Sequence, residues 1–228
     1  SLQVGQLVAF IEYLFHAMFS LMLFSNVFVM YPKAQVSAER IQEILDAEPM
    51  IKNPEQGITE TNNEGTLEFE NVTFVYPDGE EPVIKNVSFS AKKGETIAFI
   101  GSTGSGKSTL INLIPRFYDV TEGSIRIDGI DVRKFNLKAL RKKIGFIRQK
   151  NLLFTGTIKS NIKFGKPHAT HDEVENSAKI AQAYDFITTK EKGFDEPISE
   201  GGSNVSGGQK QRLSIARALV RKSEIYIF

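Results

Sequence analysis

The sequence contains no cysteine, which excludes disulfides, thiol catalysis and thiolate-held metals. Histidine is nearly as scarce. His16, His168 and His171 are scattered, and the last two lie in a polar stretch, so no metal site is built from them. Neither sign of charge is in excess: 28 basic and 27 acidic side chains leave a net +1. Nothing in that balance makes nucleic acid an obligatory partner. Internal repeats and low-complexity tracts are also missing. With 228 residues the chain has room for one large domain, or a domain with an appendage.

What is present begins with an apolar run. Residues 7–31 read LVAFIEYLFHAMFSLMLFSNVFVMY, with Glu12 as the single formal charge. A helix of this length reaches ~37 Å, more than the ~30 Å hydrocarbon core of a bilayer. Its thirteen Leu, Ile, Phe and Val residues favour insertion by roughly 6 kcal/mol in sum, against at most ~3 kcal/mol for Glu12. The run has neither the basic start nor the small-residue end of a signal peptide. It reads as one transmembrane helix. Lys33 and Arg40 follow it, so everything beyond the helix is expected in the cytosol. Glu12 and His16 are four apart and share a helix face. They either line a polar path together with other helices or pair near the interface.

After Pro32, KAQVSAERIQEILDAE carries an apolar stripe (Val36, Ile41, Ile44, Leu45) and continues the helix. Pro49, Pro54, Gly57 and the polar run 59–65 read as a linker. The expected division is therefore 1–48 for the membrane helix and its extension, 49–65 for the linker, and 66–228 for a folded domain. Strands are expected at 66–76, 83–91, 95–100 and 144–149. A hairpin turning at Asp128-Gly129 is expected over 124–132, with helices around 136–143 and through much of 157–220. EIYIF (224–228) reads as a short apolar strand. This is an α/β core with a helical insertion.

Residues 101–109 read GSTGSGKST, between a strand-like and a helix-like run. The spacing G-x-x-x-x-G-K-[ST] lets backbone N–H groups turn inward around phosphate oxygens. Gly101, Gly104 and Gly106 supply the freedom for the turn, with Ser102, Thr103 and Ser105 completing the cradle. Lys107 is placed to reach the β- and γ-phosphates, Ser108 to hold Mg²⁺, and Thr109 to stand beside it at the helix start. This loop binds a nucleoside triphosphate. About a hundred residues on, VSGGQKQR (205–212) precedes a second helical run. Gly207 and Gly208 there permit close approach of an anion to a helix start.

The order of phosphate loop, strand, glutamine, helical segment and SGGQ closely resembles the ATP-binding cassette (ABC) transporters, of the exporter half-transporter type. The resemblance spans the chain. It implies a P-loop NTPase core with a helical subdomain, preceded by the last transmembrane helix, and ATP and Mg²⁺ as ligands. It implies that Tyr76 stacks on adenine and that Gln149 contacts Mg²⁺ and the attacking water. Residues 152–165 resemble the surface that meets the membrane domain's coupling helices. Ser206, Gly207, Gly208 and Gln209 match the signature that faces ATP on a second subunit, so the implied partner is another half-transporter in a homo- or heterodimer. Val205, Arg148 and Lys150 depart from the commonest pattern, as does Ser199 in the segment 199–202. The family's Mg²⁺-binding aspartate, general base and switch histidine are expected beyond Phe228. Two functions are implied: an ATP-hydrolysing exporter subunit in a lipid membrane, or a subunit with an impaired hydrolytic site that clamps a heterodimer. Neither names the transported substrate.

Overall fold

The computed structural model describes residues 4–62 and 64–228, which divide into two compact units with the boundary between Met50 and Ile51. In the first, α1 (Val4–Leu45) is one continuous helix of 42 residues, about 63 Å at ~1.5 Å per residue. It is long and apolar enough to cross a membrane, and its described side chains are unburied. Pro32 lies inside the helix. Two hydroxyls fold back onto the preceding turn: Ser20 donates to the His16 carbonyl at 2.8 Å and Ser37 to that of Lys33 at 2.9 Å. Such bonds satisfy polar atoms within an apolar helix.

The second unit has two cores. The first is built on an antiparallel sheet in which β1 (Leu67–Phe74) lies between β2 (Ile84–Ala91) and β3 (Glu122–Ile127), with β4 (Ile130–Asp131) outside β3. Leu67, Phe69, Val72 and Phe74 of β1 are buried. The step from 69 to 72 breaks the two-residue alternation because the register shifts there, a bulge with Asn71 at φ 48°. The β3–β4 turn has Asp128 and Gly129 at φ 53° and 73°, the doubly positive geometry that matches hairpin twist. Against the sheet pack α2 (Lys107–Leu113) through Leu110 and Leu113, and α3 (Leu137–Lys143) through Leu140. α3 runs directly into β5 (Ile144–Phe146), which pairs in parallel with β8 (Ile225–Ile227).

The second core is helical. It gathers α4 (Ile158–Lys163), α5 (His171–Ile180), α6 (Tyr184–Thr188) and α7 (Gly207–Leu219) around Ile158, Ile162, Val174, Ile187 and Leu213. A short antiparallel pair, β6 (Gly156–Thr157) with β7 (Pro197–Ile198), closes one side. Reciprocal capping boxes start three of the helices: Thr157 with Ser160, Thr170 with Glu173, and Ser206 with Gln209.

One expected strand is not formed. Residues 95–100 make no ladder with any described strand, and Ile97, Phe99 and Ile100 are exposed. Composition favours a strand there, but a strand exists only through the backbone bonds of a neighbour. Phe99 instead sets its ring edge-on to Phe89, centroids 5.2 Å apart.

The polar stretch expected as a linker is fastened to the second unit from Asn53 onward. The Asn53 side chain accepts from the Leu137 N–H at 2.8 Å, and Ile58 exchanges backbone bonds with Lys134 and Asn136 at 2.9 Å. Beyond Ile58, the carboxylate of Asp128 accepts from the Thr61 hydroxyl at 2.6 Å and from the N–H groups of Gly65 and Thr66 at 2.7 and 3.2 Å. Lys143 donates to the same carboxylate at 3.0 Å and to Glu224 at 2.7 Å. Asp128 thus joins the segment before β1 to the β3–β4 turn, and Lys143 joins that turn to Glu224 just before β8.

Candidate nucleotide site

The loop 101–106 turns tightly because two of its glycines, Gly104 and Gly106, sit at φ 85°. At Gly106 a Cβ would lie 2.8 Å from Ile84 Cδ1 and 3.0 Å from the Val83 carbonyl oxygen, so both conformation and space require glycine. The Leu110 N–H then donates to the Gly106 carbonyl at 2.9 Å, closing the first turn of α2. Lys107 folds over the loop: its ammonium donates to the carbonyls of Gly101 and Ser102 at 2.8 and 2.7 Å and to the Ser105 hydroxyl at 3.2 Å. The ammonium is thus held by carbonyl oxygens of the loop itself, with its charge at the loop's centre.

Ser108 is exposed on the first turn of α2, and Thr109 beside it is buried. Thr109 shares a 2.9 Å hydrogen bond with the hydroxyl of Tyr76, which fixes that residue to the loop. The Tyr76 ring stands edge-on to Phe74 and Tyr118, with centroids at 4.8 and 5.3 Å. Sequence reading extended the strand through Tyr76. The ladder ends at Phe74, which leaves Tyr76 in the connection after β1, half-buried against the sheet core. Gln149 is exposed three residues beyond β5. Among the described residues no cluster of three or more His, Asp or Glu side chains is set to hold a metal. A few oxygen ligands plus substrate phosphates suffice for Mg²⁺, and the exposed hydroxyl of Ser108 fits that role.

Ser206, Gly207, Gly208 and Gln209 start α7. The Ser206 hydroxyl accepts from the Gln209 N–H at 3.3 Å, and the Gln209 amide oxygen accepts from the Ser206 N–H at 3.0 Å. Gly207 and Gly208 are exposed, and a Cβ at either would meet nothing within 4 Å. Among the described residues nothing demands glycine at those positions. Their bare backbone is open to solvent. Among the described residues, no hydrogen bond joins this group to the phosphate loop.

The sequence profile of the family described as ABC transporter matches residues 84–228, which hold both the phosphate loop and the SGGQ turn. The chain belongs to the ABC transporter family. This ABC transporter chain is 44% identical over 227 residues to the uncharacterized ABC transporter ATP-binding protein YfiB of Bacillus subtilis (strain 168), covering all of the chain and 39% of that protein. It is 46% identical over 185 residues to a putative multidrug export ATP-binding/permease protein of Staphylococcus aureus (strain NCTC 8325 / PS 47), covering 81% of the chain and 32% of that relative. A solved structure of a bacterial Atm1-family ABC exporter with ATP bound superposes with a TM-score of 0.82 at 33% identity, over 99% of this chain and 39% of that one. The chain thus spans about two fifths or less of the length of these relatives.

Two arrangements escaped the sequence reading. Asp128 is a turn residue that also anchors Thr61, Gly65 and Thr66, which its turn position alone does not reveal. Arg217, in the middle of a signature-helix run, proves to be half-buried, with its guanidinium bonded to the carbonyls of Leu152 and Asn161. Its position four residues after buried Leu213 and three before buried Val220 was the available signal.

Proposed function

We propose that the chain is the ATP-binding portion of an exporter that works as a head-to-tail dimer and couples ATP hydrolysis to outward movement of a substrate. The observation that carries this reading is the phosphate loop, with Lys107 over its glycine turn, in a chain of this family. On engaging nucleotide, Lys107 exchanges the carbonyls of Gly101 and Ser102 for β- and γ-phosphate oxygens, while N–H groups of 101–106 face the phosphates. Tyr76 offers its ring to adenine and its hydroxyl to Thr109. Ser108 and Gln149 are the side chains that would hold Mg²⁺, which would supply neutralisation of phosphate charge.

Ser206, Gly207, Gly208 and Gln209 of one chain face the nucleotide on the phosphate loop of another. The open space beside Gly207 and Gly208 supports that close approach. Residues 1–48 form a membrane helix with its extension, 49–65 the connection, and 66–228 a cytosolic nucleotide-binding domain. The naming of the Staphylococcus aureus relative supports multidrug export.

A complementation experiment tests the composite site. Full-length Lys107→Ala and Ser206→Arg proteins are each expected to lose ATP hydrolysis in lipid. Co-assembled one to one, they retain a single intact composite site, so part of the activity returns. Absence of recovery in verified mixed dimers contradicts head-to-tail sharing.

A further inference from the structure

Arg217 lies on α7 about 15 Å along the helix axis from Gly207, at ~1.5 Å per residue. Its Nε donates to the Asn161 carbonyl at 2.9 Å, Nη1 to the Leu152 carbonyl at 2.9 Å, and Nη2 to the Asn161 side-chain oxygen at 2.8 Å. The rings of Phe154 and Phe164 lie against the guanidinium at 5.2 and 5.7 Å. Among the described residues its hydrogen-bond partners are uncharged oxygens, none of them a carboxylate. Burial pulls its pKa below the ordinary guanidinium range, yet an arginine stays protonated in a protein.

Arg217 is half-buried, and a partly desolvated cation without a counter-ion is costly unless its donors are well used. Here each bond and each ring reaches the same segment, 152–164. Asn161 extends the grip: its amide donates to the carbonyls of Phe154 and Thr157 at 2.8 and 3.0 Å, and its oxygen accepts from the Phe154 N–H at 2.8 Å. At the far end of α4, a Cβ on Gly165 would collide with the Arg217 carbonyl, so α4 and α7 meet backbone to backbone. Outside this clamp, Leu152, Phe154 and Phe164 turn large apolar surfaces to the exterior.

We infer that Arg217 is the positioning residue that ties α7, whose N-terminus carries Ser206 to Gln209, to the segment following Gln149, so that the two move as one body. The role rests on the reading that Ser206 to Gln209 engage nucleotide, since that contact is what would move α7. Arg217 touches neither nucleotide nor reacting atoms and acts through the placement of 152–164.

The test uses the full-length transporter in lipid nanodiscs, with spin labels at Thr155→Cys and Gln211→Cys in a background free of other cysteines. The wild-type background is expected to give one narrow distance distribution that Mg-ATP leaves unchanged. Arg217→Ala broadens it and lowers kcat for ATP hydrolysis roughly tenfold, because the coupled surfaces no longer hold their geometry. KM for ATP stays within about twofold, and Arg217→Lys restores part of the rate. An Arg217→Ala distribution as narrow as the wild type, or a loss confined to KM, overturns the inference. Should Arg217→Ala not fold, Asn161→Ala, which keeps the arginine and removes its side-chain acceptor, is expected to broaden the distribution likewise, and a narrow result overturns the inference equally. Binding of a fluorescent ATP analogue is measured on the same samples. Failure of the wild type to bind it removes the nucleotide reading, while the label widths without nucleotide still decide the role of Arg217.

Discussion

The hydroxyl of Tyr76 lies 2.9 Å from that of Thr109, a bond that joins the connection after β1 to the first turn of α2. Thr109 is buried, so the bond satisfies a hydroxyl that water does not reach freely. The aromatic residue assigned to the base and the loop assigned to the phosphates are therefore linked by the chain itself.

The two functions of Tyr76 can be separated. Tyr76→Phe keeps the ring and removes the bond, costing ~1 kcal/mol, or about fivefold in nucleotide affinity. Tyr76→Ala removes the ring as well, and base–aromatic stacking of ~1–3 kcal/mol is lost with it. Titration of the full-length protein with a fluorescent ATP analogue checks the order. Equal affinity for Tyr76→Ala and wild type removes Tyr76 from the site.

Asp128 holds Thr61, Gly65 and Thr66 in a pH-dependent way. Burial pushes its carboxyl pKa up, but the bonds from Thr61, Lys143 and the Thr66 N–H outweigh that, and the net direction is down. A depressed carboxylate pKa stabilises the fold above the usual range near ~4 and loses that contribution as pH falls through the lower folded value. Lys143 is shifted the other way. Burial lowers its pKa, Glu224 and Asp128 raise it by more, and its contribution is lost only as pH rises past ~10.4. Asp128→Asn is expected to weaken the clasp by ~2 kcal/mol. Hydrogen exchange at the Gly65 and Thr66 amides would then quicken by about 30-fold at neutral pH. As pH drops well below ~4, wild type and variant converge. Unchanged exchange at neutral pH contradicts the anchoring role.

Local chemistry was the part of this chain that its sequence disclosed. The phosphate loop is legible because glycines at fixed offsets create it without help from distant residues. The turn at Asp128-Gly129 and the Ser206 cap are legible for the same reason. Relations between distant positions were not. Residues 95–100 have strand composition, but no neighbouring strand among the described residues completes them. Lys143 ends the basic run Arg141-Lys142-Lys143, and nothing in that run marks it off from its neighbours. The fold instead buries it between Asp128 and Glu224, 15 and 81 positions away. The linker composition of 49–65 gave no hint that Asn53, Ile58 and Thr61 are bonded to the sheet unit.

The central claim is that Lys107 and its loop hold the phosphates of a hydrolysed nucleotide. The most direct measurement is Mg-ATP hydrolysis by the purified full-length protein in lipid, wild type against Lys107→Ala. The account predicts steady hydrolysis by the wild type and a loss of ~100-fold or more in the variant, the scale expected when a charge aimed at the transferring phosphoryl group is removed. Hydrolysis by Lys107→Ala at the wild-type rate would contradict it.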